Sequence, residues 1–355
     1  MQTKRAAFID HSFHKKTLCT VFLKELLSTE YELAELWDDS WKGGKRVSID
    51  YLNDNNFHAI FFFQRIPPLS YLKKLNCRNI VWFPMYDQEE YRHYSSYIPY
   101  LNLNIKMFSF SKKLYDKLKK ANMDCYYYKY HLKPVAQVSP NDETKKVFFW
   151  MRTSDITWDI VKKLLGENYD GEIIIKTTSD PNCKTNLPSK EDIARYNIQI
   201  VNNWLDKEEY DKLLSSCNIF IAPRQAEGIG MSFIEALFRG MCVIAPNNST
   251  MNEYIIHGIN GLLYDLKDPK ALNLSNLAEM RKNTAKTAKE DYGLWEKTKH
   301  KILINLTKPN KKHGLMKLLY FQLIYVFLIP YMLVKKLKEN CIKLIKKHWN
   351  ILKEN

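Results

Sequence analysis

The sequence predicts an α/β protein of two Rossmann-like domains that face each other across a cleft, followed by a basic apolar tail. Three observations predict it. Short apolar runs alternate with helix-length segments through residues 6–257, the pattern of parallel strands covered by helices. A polar stretch with two prolines, KPVAQVSPNDETK at residues 133–145, interrupts that alternation near its middle. The pattern gives way after residue 308 to a lysine-flanked apolar run.

The 355 residues suit two domains of ordinary size, and 45% hydrophobic content can fill two cores. The predicted division is a first domain at 1–133, a linker at 134–145, a second domain at 146–307 and a tail at 308–355. The net charge of +15 is concentrated in that tail, where eleven lysines face two acids. The remaining body is only weakly basic and does not interleave aromatic and basic residues. No nucleic-acid partner is therefore expected. Seven scattered cysteines form no C-x-x-C and no Cys/His spacing suited to zinc, so they read as reduced thiols. The apolar run after MQTKR is too short for the core of a secretory signal, and a cytoplasmic location is expected.

In the first domain, strands are expected at 6–10, 32–37, 59–63, 79–83 and 106–109, with helices at 17–27 and 112–120. In the second, strands are expected at 147–150, 172–176, 199–201, 219–222 and 242–245. Helices are expected there at 158–165, 190–196, 207–215, 231–239 and 251–257. Ligands of such sheets bind beyond the carboxyl ends of the strands, here in the cleft between domains.

Residues 219–224, IFIAPR, read as a buried strand leading into QAEGIG and then a helix from Met231. Gly228 and Gly230 let the backbone come close to a ligand. The helix start offers free N–H groups and a positive dipole end to a diphosphate. Glu227 in the loop and Glu235 on the helix can face one cleft, and a carboxylate accepts from two neighbouring hydroxyls.

The block from Pro223 to Leu272, PRQAEGIGMSFIEALFRGMCVIAPNNSTMNEYIIHGINGLLYDLKDPKAL, resembles the donor-binding block of family 4 glycosyltransferases (group 1). The shared pattern is E-x7-E with a Gly-rich interior, then E-A-x-x-x-G, a strand ending V-I-A, a short Glu-containing helix and N-G-x-L. The resemblance implies the GT-B fold and retention of anomeric configuration, with a nucleotide sugar as co-substrate (UDP- or GDP-linked) and no metal or other cofactor. It places Glu227 near the transferred sugar and Glu235 on the nucleotide ribose. Gly228, Ile229, Gly230, Met231 and Ser232 then form the loop that meets sugar and diphosphate. Arg152, after the strand VFFW, matches the arginine that clamps the diphosphate, and its planar fork suits phosphate oxygens. The lysine and glycine expected five and six residues later are Thr157 and Trp158. Lys176 is the candidate for the missing charge, against an alternative as a surface lysine. Trp204, in NNWL, either borders the nucleotide base or packs in the core.

In the first domain the loop DHSFHKKT lacks the usual glycines. His11 and Lys15 are candidates for phosphate contact, with an ordinary polar loop as the alternative. A metal at His11 and His14 is not expected. Asp87 in FPMYDQ is the candidate facing the acceptor, ahead of Gln64 and Arg65. The catalytic set is thus Glu227, Arg152 and Asp87.

Residues 318–334 form a 17-residue uncharged run holding Pro330, flanked by lysines and followed by an amphipathic pattern. This suits a helix lying on an anionic membrane better than a span. The expected acceptor is a lipid-linked glycan or glycolipid at the cytoplasmic face of the inner membrane, in bacterial surface polysaccharide assembly such as lipopolysaccharide. Two rivals are a nucleotide-sugar epimerase on a similar fold and a degenerate, non-catalytic membrane scaffold.

Overall fold

The computed structural model describes residues 4–135, 145–180, 183, 185–311 and the separate positions Leu319, Leu323 and Val326. Two all-parallel sheets organise it. The first holds β1 (Lys4–Asp10), β2 (Tyr31–Trp37), β3 (Ala59–Gln64), β4 (Ile80–Pro84), β5 (Lys106–Ser109) and β6 (Asp124–Tyr127). The second holds β7 (Lys146–Trp150), β8 (Glu172–Lys176), β9 (Ile198–Val201), β10 (Ile219–Ile221), β11 (Cys242–Pro246) and β12 (Gly261–Tyr264). Their orders are β2-β1-β3-β4-β5-β6 and β12-β11-β10-β7-β8-β9. This is the two-domain arrangement of the GT-B fold.

The first domain's helices are α1 (His14–Thr17), α2 (Val21–Ser28), α3 (Ile49–Asp54), α4 (Leu69–Leu72), α5 (Tyr86–Glu89) and α6 (Lys112–Lys120). The second domain carries α7 (Trp158–Leu165), α8 (Lys190–Arg195), α9 (Lys207–Ser215), α10 (Met231–Phe238), α11 (Leu277–Thr298) and α12 (His300–Thr307). Helices on both faces bury the strands, so β3 and β4 are apolar at almost every position: Ile60, Phe61, Phe62, Val81 and Trp82 are all buried.

Strand order reverses between β1 and β3 in the first sheet and between β7 and β10 in the second. Residues leaving the carboxyl ends at these switch points line a crevice. The domains meet there. Glu253 of the second domain accepts from the backbone N–H of Lys112 at 2.7 Å and from the Ser111 hydroxyl at 3.0 Å, so it caps α6 of the first. α12 returns to the first domain, where Asn305 donates to the Tyr128 hydroxyl at 2.7 Å and Lys106 donates to the Leu306 carbonyl at 2.8 Å.

Some elements differ from expectation. The helix expected at 17–27 is split, because Leu18 adopts φ 52° and closes α1 before α2 begins. The helix expected at 251–257 is one 3-10 turn, Met251–Glu253. β6 and β12 were not expected: each is only four residues long, and DCYY carries no apolar run. Most of 133–145 and of the tail lies outside the described residues. Among those described, no helix is long and apolar enough to cross a membrane.

Candidate active site

β10 runs out through Pro223 and Arg224 into the loop that carries Glu227, and α10 starts at Met231. Gly230 is the N-cap of α10 at φ 85°, a left-handed conformation that favours glycine. A Cβ there would also lie 1.8 Å from the Phe233 ring. The helix therefore begins with no side-chain cap, and its first amides are left to the loop. Ile229 and Phe233 belong to the core, while Gly228, Gly230 and Ser232 are buried beside them. Met231 is half-buried.

Glu227 is buried, and its Oε1 has no hydrogen-bond partner. Burial pushes its pKa up to about 7, with the Asp87 and Asp180 charges adding to that and Arg224 and Arg152 opposing it. Glu235 is half-buried. Burial likewise raises its pKa to about 7, and Arg239, one turn on, opposes the shift. The Arg152 charge opposes the shift at both carboxylates.

Arg152 follows β7, and its Nε donates to Asp180 Oδ1 at 2.7 Å. Arg224 donates to the other oxygen of Asp180 and, at 3.2 Å, to Asp87 Oδ2 from the first domain. Asp180 is held ionised, because the two arginines outweigh its burial. Asp87 follows β4 on α5, and a Cβ on Gly228 would lie 2.7 Å from Met85 Cβ and 2.9 Å from Asp87 Oδ1. The two domains thus touch at the loop that carries Glu227. Asp87 Oδ1, Arg224 Nε, Glu227 Oε1 and Ser232 Oγ are all buried here without a partner. So many orphaned polar atoms at one place mark a site built for a polar ligand.

Lys176 is not a surface lysine. It is buried, its Nζ lies 4.9 Å over the Trp150 ring and 5.1 Å over Trp204, and burial lowers its pKa to about 8. Trp204 is 55% exposed, so it caps this stack rather than filling the core. Arg152 sits over Trp150 at 4.9 Å. One file of alternating cations and aromatics thereby joins the arginine to the loop after β9.

Across the cleft, His14 Nδ1 lies 2.7 Å from the buried Asp10 Oδ1, and His11 Nε2 lies 2.9 Å from Gln64 Oε1. Burial pulls the His14 pKa down, but the Asp10 and Cys19 contacts outweigh it and hold it at about 9. Burial and the neighbouring His14 lower that of His11. Asp10, His11 and His14 are close enough to ligate a metal. In this arrangement His14 and Asp10 form an ion pair, and a metal would have to displace the His14 proton. Lys15 is exposed and lies 4.4 Å over the Trp37 ring, turned toward β2. A cavity of about 390 Å³ opens beside His11, lined also by Asp10, Trp41, Arg65, Gln88 and Arg92. It adjoins Asp87, whose Oδ2 accepts from Gln88 at 3.4 Å.

Sequence reasoning missed Arg224 and Asp180. Arg224 stood in plain view, three residues before Glu227 at a strand end. Asp180, in TTSDPNC, carries no local signal.

Comparisons with known proteins bear on the fold and on the donor-side segment of the sequence. Residues 188–291 match the profile of the family described as glycosyl transferases group 1. An uncharacterized glycosyltransferase of Methanocaldococcus jannaschii is 30% identical over 147 residues, 38% of this chain and 38% of that protein's own length. Among solved structures, sucrose-phosphate synthase of Thermosynechococcus elongatus aligns with a TM-score of 0.58 at 15% identity, over 91% of this chain and 100% of its own. HepE of Anabaena, solved in complex with UDP and glucose, aligns at 0.55 and 12% identity, over 86% of this chain and 99% of its own. At such identities the structural likeness speaks for the fold alone, and the sequence matches cover only part of the chain. Residues 188–291 thus carry a block similar to the group 1 glycosyltransferases, set in a chain of GT-B fold.

Proposed function

We propose that the chain is a retaining transferase that moves a sugar from a UDP- or GDP-linked donor to a lipid-linked glycan in bacterial surface polysaccharide assembly. The observation that carries this is the convergence of buried Glu227, Arg152 and the uncapped start of α10 on one cluster of orphaned polar atoms. Departure of a nucleoside diphosphate puts charge on its phosphate oxygens. Arg152 and the first amides of α10 are fixed dipoles and charge suited to take up that charge. Glu227, with its raised pKa, suits hydrogen bonding to the sugar hydroxyls, and Glu235 suits the ribose. The acceptor hydroxyl would enter from the cavity beside Asp87 and attack the face the diphosphate leaves, passing its proton to the departing phosphate. No step in this scheme needs a metal.

The lipid-linked acceptor is supported by the basic apolar tail, which also suits attachment to the cytoplasmic face of an anionic inner membrane. A thermal-shift panel of UDP- and GDP-sugars tests the donor reading. A true donor at one hundred times its dissociation constant should add about 2.7 kcal/mol of stability. Slow hydrolysis of that donor should disappear in Glu227→Ala. Failure of every nucleotide sugar to stabilise the protein would leave the scaffold reading standing.

A further inference from the structure

Two arginines, from different strands, hold one carboxylate between them. Asp180 Oδ1 takes the Nε–H of Arg152 and Oδ2 takes an Nη2–H of Arg224. A carboxylate spanning two guanidinium forks presents its oxygens as neighbouring phosphate oxygens would. Arg224 Nε is buried and has no partner, beside the equally unpartnered Glu227 Oε1. Arg224 and then Arg152 are the cations that most oppose the rise in the Glu227 pKa. Lys176 has its Nζ engaged with the Thr178 hydroxyl and lies against Trp150 and Trp204. A buried ammonium can lose its proton near neutral pH, whereas a guanidinium does not.

We propose that Arg224 is the second cation of the diphosphate clamp, and that Asp180 is a resident counter-ion whose place the diphosphate takes on binding. This rests on the donor reading above and adds to it the residue that completes the clamp. Arg224 also donates to Asp87 of the first domain, so the cation that grips the diphosphate also makes one of the contacts between the domains. The Asp180 amide is bonded to the Arg152 carbonyl at 2.9 Å, so the carboxylate can turn away while its backbone stays anchored.

The test is calorimetric titration of the full-length chain with UDP, GDP and ADP, each beside its nucleoside. With whichever diphosphate binds wild type, Arg224→Gln should weaken binding by about tenfold or more and Arg224→Lys by less, the nucleoside being little affected. Asp180→Asn should tighten diphosphate binding severalfold, because a neutral amide competes poorly for two guanidinium groups. Binding of the diphosphate by Arg224→Gln at wild-type strength would overturn the assignment. Equal losses for diphosphate and nucleoside would overturn it too, since they mark a structural defect. Unchanged or weaker binding in Asp180→Asn, which keeps the side chain's shape and so tests the idea even if Arg224→Gln fails to fold, would overturn the exchange. If wild type binds none of the three diphosphates, the donor reading fails first and this inference falls with it.

Discussion

Glu227 is the residue on which the site's charge balance turns. It shares a buried cluster with Arg152, Arg224, Asp87 and Asp180, in which three carboxylates meet two guanidinium groups. Burial and the two neighbouring carboxylates work against its ionisation, and its pKa rises to about 7 from 4.5. The sign of the stability effect follows. Below pH 4.5 the carboxyl is neutral in both folded and unfolded chains. Between there and pH 7 the unfolded chain ionises first, so this group costs stability progressively, and above pH 7 the full cost is present. Glu235 acts in the same direction over the same window. Glu227→Gln removes one of these costs and keeps the shape. Its melting temperature should exceed that of wild type at pH 8 and approach it at pH 5, as measured by parallel thermal melts. Equal wild-type and variant curves at pH 8 would contradict the raised pKa.

Short elements carry the chemistry by the way they end. α10 must start at a residue that tolerates positive φ and lies against Phe233, so glycine at 230 is dictated by local geometry. β7 and β10, neighbours at the switch point, deliver Arg152 and Arg224 from adjacent strand ends, and the loop after β8 brings Asp180 between them. α7 starts where the resemblance would place a lysine and a glycine, at Thr157 and Trp158. Trp158 is buried, and its indole N–H donates to Asp192 at 2.7 Å, so this turn is committed to packing against α8. α12 reaches the first domain just before the tail begins. The tail can therefore be removed after the last described contacts of that helix. Deleting residues 315–355 should release the protein from membranes in sedimentation assays and leave its thermal transition largely in place. Continued sedimentation of the truncated chain with membranes would rule out the tail as the anchor.

At the scale of the molecule, the proposed function depends on how closely the two domains approach. Gly228 is the point of contact with Met85 and Asp87. Glu253 capping α6 and Lys129 pairing with Asp291 at 2.7 Å hold the domains together farther out. Gly228→Ala would push a methyl group into Met85 and wedge the cleft open where the chemistry occurs. The expected result is a loss in kcat/KM of about tenfold or more, an effect near 1.4 kcal/mol on the transition state. The melting temperature should fall little, because the outer contacts remain. Full activity in Gly228→Ala would mean that this approach is not needed for turnover.

The sequence by itself determined the two parallel-sheet domains and the strand-loop-helix unit that carries Glu227 and Glu235. Continuous apolar strands, a Gly-x-Gly break and a helical repeat are local patterns, and burial and backbone sterics fix their outcome wherever the chain folds. Arg152 was singled out by the resemblance, as the arginine that comes shortly after the strand Lys146–Trp150. Asp87 was legible as a strand-end carboxylate, but not as a partner of Arg224, 137 positions away. Asp180, Arg224 as its second ligand, the burial of Lys176 between two tryptophans and the contact of Gly228 with Met85 were decided only by the tertiary structure. Each of these depends on charges or rings brought together from distant strands. Their energies arise from desolvation and mutual distance, and neither quantity exists until the sheets have packed.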